Sequence, residues 1–246
     1  MKEKRGQITV FVIIGILVVA VVGGFVFLEL NDLNIERINP EVEPVHSFVE
    51  SCVEEKAKEA VLYTSNRGGY YKIPEPSVQD NFPYYFYNKE NYMPSKEKIG
   101  SEISRYFNDK LKECMNFESF SGFEINPGEV KSEVSIYDET VAFDVEYPIS
   151  VTKDKKSYFF KGFQTDVPLR LGVVYNAVEV FIGEQMTHEG ICITCLYGIA
   201  EDNNFKVNVL YPDYETAIFV FIDENPKSVS EEFSFNFANK YKPKTL

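Results

Sequence analysis

The sequence predicts an α+β protein: an N-terminal transmembrane helix followed by an extracellular domain of helices and antiparallel β-sheet. Three observations predict it. Residues 8–28 contain no charge, and 21 residues of helix span about 30 Å, the thickness of a hydrocarbon core. Residues 45–66 repeat apolar side chains at threes and fours, the spacing of a half-buried helix. Residues 140–151 alternate, with Val141, Phe143, Val145, Tyr147, Ile149 and Val151 on one face of a strand.

Charge sets the orientation. Lys2, Lys4 and Arg5 precede the apolar run and Glu29, Asp32 and Glu36 follow it. Positive residues stay in the cytoplasm, so residues 1–7 form a basic cytoplasmic leader and the C-terminal bulk is exported. This predicts a single-pass cell-membrane protein with the lipid bilayer as a partner. Residues 29–44 read as a stalk or linker, ended by Pro40 and Pro44.

The junction reads Lys4-Arg5-Gly6-Gln7-Ile8-Thr9-Val10-Phe11. It resembles the class III signal peptides of archaeal type IV pilin-like proteins, over residues 4–28 only. The resemblance implies cleavage between Gly6 and Gln7 by a prepilin-peptidase-like enzyme, with the apolar helix kept. It implies a cell-surface protein with a structural or adhesive, binding role, whose partners are copies of itself or other pilin-like subunits. Phe11 departs from the pattern, because many pilins carry Glu at that fifth mature position.

Residues 45–246 form the extracellular α+β domain. A second helix is predicted from the N-cap candidate Ser95 to about residue 117, with Ile99, Ile103, Phe107, Leu111 and Cys114 on one stripe. Strands follow at 130–137, 140–151 and 158–171, with Asp138-Glu139 as a hairpin tip. Pro148 and Pro168 mark edge or bulge positions. Helical spacing returns at 172–186 and again after Cys195, to Ala200. Strands at 205–211, 216–223 and 232–237 complete the chain. The pattern marks 45–171 and 172–246 as candidate sub-units.

A net charge of −13 makes nucleic acid an unsuitable partner, since an acidic surface repels phosphates. No GxSxG, Walker or GxGxxG pattern occurs. The sequence therefore predicts no enzyme and no cofactor. His46 and His188, the two histidines, read as solvated.

Four cysteines, Cys52, Cys114, Cys192 and Cys195, predict two disulfides in an exported domain. Cys52 and Cys114 both lie on apolar helix stripes, so a bond between those helices is the simplest pairing. It would leave Cys192–Cys195 as a tight local ring, although the sequence leaves other pairings open. Cys192-Ile-Thr-Cys195 also carries the alternative function, a membrane-tethered thiol–disulfide protein. Zinc would want a second close Cys or His pair, so no metal site is predicted. The Tyr-rich stretch that includes Tyr84, Tyr85, Tyr87 and Tyr92 is the candidate contact surface, because such rings bury much area at low entropy cost. The same rings could instead cover the core from a hairpin.

Overall fold

The computed structural model describes residues 18, 38–224 and 233–241. In chain order the described elements are α1 (Glu43–Ser65), β1 (Ser77–Val78), β2 (Phe82–Tyr87), β3 (Glu90–Asn91), α2 (Lys96–Cys114), β4 (Glu124–Pro127), β5 (Lys131–Ile136), β6 (Val141–Lys153), β7 (Lys156–Val167), α3 (Leu171–Gln185), α4 (Ile193–Asn203), β8 (Phe205–Leu210), β9 (Thr216–Asp223) and β10 (Ser234–Lys240). Glu41–Leu246 cluster as one compact unit.

Helix α1 starts at Glu43, two residues earlier than the stalk reading implied. Pro44 lies in its first turn, where a missing N–H leaves no hydrogen bond unmade. Its apolar stripe, Val45, Val49, Cys52, Val53, Ala57, Ala60 and Val61, is buried. Helix α2 is capped as predicted: Ser95 Oγ accepts the Lys98 N–H at 3.2 Å. A disulfide between Cys52 and Cys114 ties the two helices together, with Cα atoms 5.9 Å apart.

These helices pack on an antiparallel sheet whose central strand is β6. Strand β7 runs along one side of β6, and β5 then β4 share the other. The break between β5 and β4 falls opposite Pro148, which has no N–H to give the ladder. The β6–β7 register also shifts between Glu146 and Ile149. Pro148 O accepts the Gly128 N–H at 2.7 Å instead. A Cβ on Gly128 would lie 2.8 Å from Pro148 Cγ, so glycine fits this close approach. Pro148 is thus a bulge residue inside a central strand, not an edge residue.

The second sheet is mixed. Its order is β1-β2-β10-β9-β8, with β3 on β2. Strands β8, β9 and β10 are antiparallel neighbours, but β2 and β10 pair in parallel. The expectation of purely antiparallel sheet is corrected here. A parallel pair needs a long crossover, and the chain between β2 and β10 supplies it. Phe237 is the hub of the inner face: its ring stacks on Tyr85 at 4.6 Å, Phe219 at 5.4 Å and Phe221 at 5.8 Å. Phe181 of α3 meets Phe219 edge-on at 4.9 Å. Such rings dominate core energetics through the area they bury.

The transmembrane expectation is also corrected. Among the described residues no helix is long and apolar enough to cross a membrane. The longest, α1, carries Glu43, Glu50, Glu54, Glu55, Lys56, Lys58 and Glu59, charges that hydrocarbon does not tolerate. Helix α3 is apolar but has 15 residues, about 22 Å and too short. The run at 8–28 lies outside the described residues apart from Val18. The fold is therefore α+β, and the expected single-pass cell-membrane localisation is not supported among the described residues. Two disulfides fit an oxidising, extracellular environment.

Candidate functional site

Two places in the domain bring together chemistry the core does not need. The first is a groove of about 220 Å³ lined by Tyr70, Pro74, Glu75, Pro76, Tyr84, Tyr87 and Tyr92. It exists because of a bulge in β2. Tyr84 is opposite Ala238, but the next pairing joins Phe86 to Asn239, so Tyr85 is the extra residue. An extra residue reverses the alternation of a strand. Before the bulge Tyr84 faces outward and Tyr85 inward. After it Phe86 turns inward and Tyr87 joins Tyr84 outside. The result is a Tyr84–Tyr87 ring contact at 5.1 Å.

Tyr92, 49 % exposed, closes the groove. Its ring stands across that of Tyr87 at 6.4 Å and 73°. The Tyr92 hydroxyl donates to Glu90 Oε2 at 2.6 Å, and that carboxylate raises the Tyr92 pKa above its ordinary value. Burial raises the Tyr70 pKa. Both phenols are therefore neutral at physiological pH, and their faces keep the negative quadrupole of an uncharged ring. Lys240 Nζ lies 6.0 Å from the Tyr87 ring centroid, within cation–π range.

Of the four tyrosines singled out in the sequence, Tyr84, Tyr87 and Tyr92 share this groove. Tyr85 does not. It is fully buried and its hydroxyl donates to Gly68 O at 2.9 Å. Sequence reasoning did not assign Pro74, Glu75 and Pro76 to the site. The one signal for them was their place in the same Pro-punctuated segment as the tyrosines.

The second place is Cys192–Cys195, which are disulfide-bonded to each other. Cys192 is the N-cap of α4. Its Sγ accepts the Cys195 N–H at 3.3 Å and lies 3.7 Å from Thr194 Oγ1. Cys192 is buried, whereas Cys195 is half-buried. His188 comes close enough that one ring nitrogen and both sulfurs lie within 4.8 Å of one another. Its Nδ1 is 2.8 Å from Glu184 O, so a proton on Nδ1 would leave Nε2 as a donor to a metal. With both sulfurs held in the disulfide, His188 would be the sole ligand of the three.

His188 is exposed, as the sequence implied. His46 is not: its ring packs edge-on against Phe160 at 5.0 Å, with 14 % of the side chain accessible. Gly6 and Gln7, the processing pair, lie outside the described residues. No family model matches the chain, no curated protein matches it, and no solved structure matches it.

Proposed function

We propose that this chain is a pilin-like, non-catalytic protein with a structural or adhesive role, and that its Tyr groove is the contact site for a cationic group of its partner. The observation that carries the reading is the bulge that gathers Tyr84 and Tyr87 beside Tyr92 and Glu75. Ring faces attract an ammonium or guanidinium by about 0.5–2 kcal/mol each as water is excluded. Glu75 adds a carboxylate, and the net charge of −13 draws cations toward the surface. Lys240 beside Tyr87 is an internal example of the same contact. The pilin-like class is supported by the Lys4-Arg5-Gly6-Gln7 junction.

Calorimetric titration with choline chloride, against sodium chloride at equal ionic strength, tests the reading. Saturable binding that Tyr87→Ala weakens about tenfold is expected from one lost cation–π contact. Heats equal to those of the sodium salt would reject it.

A further inference from the structure

We propose that Cys192–Cys195 is a thiol–disulfide exchange site with a fixed polarity: a partner thiolate attacks Cys195, and Cys192 is the leaving sulfur. The inference is independent of the Tyr groove.

The two sulfurs are not equivalent. Cys195 is half-buried, whereas Cys192 has 8 % of its surface accessible, so Cys195 is the more accessible of the two to an incoming thiolate. The donors are arranged the other way round. The Cys195 N–H at 3.3 Å and the Thr194 hydroxyl at 3.7 Å converge on Cys192 Sγ. Among the described residues no hydrogen bond reaches Cys195 Sγ. Helix α4, 11 residues long, begins immediately after Cys192 and points its positive end at that sulfur. Groups that stabilise a thiolate lower its pKa and make it the better leaving group.

The step balances without a cofactor. A partner thiolate forms a bond to Cys195 Sγ, the Cys192–Cys195 bond breaks, and its electron pair leaves on Cys192 Sγ. A second thiolate of the same partner then attacks its own sulfur in the mixed disulfide and releases Cys195 as thiolate. The partner dithiol is oxidised to a disulfide and the Cys192–Cys195 pair is reduced, both thiolates being free to take protons from water. The substrate class is an exposed dithiol peptide. Cys52–Cys114 is the internal control: Cys114 is half-buried like Cys195, but it ends α2 and Cys52 lies in the middle of α1 on its core side, so no helix N-terminus stabilises a thiolate on either sulfur.

The test is to treat the oxidised full chain with reduced glutathione, quench in acid, alkylate, and map adducts by tandem mass spectrometry. Glutathione on Cys195, alkyl on Cys192 and an intact Cys52–Cys114 bond are expected. Glutathione on Cys192, or a Cys192–Cys195 bond as inert as Cys52–Cys114, would overturn the proposal. In Thr194→Val the same adduct should form roughly 3- to 10-fold more slowly, the effect of one hydrogen bond to the leaving group. An unchanged rate would overturn the part of the proposal in which the Thr194 hydroxyl stabilises the leaving Cys192 thiolate.

Discussion

Tyr84 and Tyr87 are three residues apart on one strand, yet their rings lie 5.1 Å apart on the same face. A regular strand would put them on opposite faces. The extra residue at Tyr85, opposite the Ala238–Asn239 step, makes the difference. It also separates two roles within a run of four aromatics: Tyr85 and Phe86 belong to the core, while Tyr84 and Tyr87 line the groove.

That separation predicts opposite mutational signatures. Tyr85→Ala should cost about 3–5 kcal/mol of stability, because it empties the stack on Phe237. Tyr85→Phe should cost about 1–2 kcal/mol by leaving Gly68 O without its 2.9 Å donor. Tyr87→Ala, at a groove ring outside both apolar clusters, should weaken choline binding about tenfold with little change in the denaturation midpoint. Urea melts beside calorimetry check all three.

The two disulfides should differ in weight. Cys52–Cys114 closes a loop of 62 residues and Cys192–Cys195 one of 3. In the loop-entropy picture the first contributes about 4 kcal/mol and the second less than half of that. Thermal melts of Cys52→Ala/Cys114→Ala and Cys192→Ala/Cys195→Ala should show the larger loss in the first.

Glu102 should give the fold an acid-sensitive limb. Its side chain is 2 % accessible and accepts from Tyr71 N–H at 3.1 Å, Lys72 N–H at 3.3 Å, Lys98 Nζ at 2.8 Å and Arg105 NH1 at 2.6 Å. Burial alone would raise its pKa. The bonds from Lys98 and Lys72, with the Lys98 and Arg105 charges, outweigh burial and hold it below 4.5. A carboxylate depressed on folding stabilises above its unfolded pKa, and that stability is lost as pH falls through the folded value. Glu102→Gln should therefore cost about 2–4 kcal/mol near neutrality and flatten the loss of stability below pH 4.5. Chemical denaturation across pH, wild type against variant, measures both.

Gly172 should tolerate no side chain. A Cβ there would collide with Tyr137 O and sit 2.7 Å from Tyr137 C, both backbone atoms. The start of α3 is thus seated on the β5–β6 turn. Gly172→Ala should cost about 1–3 kcal/mol by overpacking, despite the better helix propensity of alanine. The urea midpoint of the variant checks it.

Much of the fold is legible in the sequence because its signals are local. The apolar stripe of α1, the Ser95 cap, the alternation of β6 and the Phe233, Phe235, Phe237 series each depend on neighbours in the chain. What escapes is long-range. Nothing in residues 82–87 shows that they pair in parallel with 234–240. The bulge follows from that pairing, so alternation read from the sequence would group Tyr85 with Tyr87. Strand β4 escapes because its four residues end in Asn126-Pro127, a turn signal that pairs with Ile149 and Ser150 only by tertiary context. The polarity of Cys192 and Cys195 escapes for the same reason: their difference in burial comes from the packing of α4.

The most direct test of the groove is tyrosine-ring NMR during titration with tetramethylammonium chloride, against sodium chloride at equal ionic strength. Saturable shifts of the Tyr84, Tyr87 and Tyr92 rings are expected, with Tyr147 on β6 unmoved as a core reference. Rings of Tyr84, Tyr87 and Tyr92 that respond no differently from Tyr147 would contradict it.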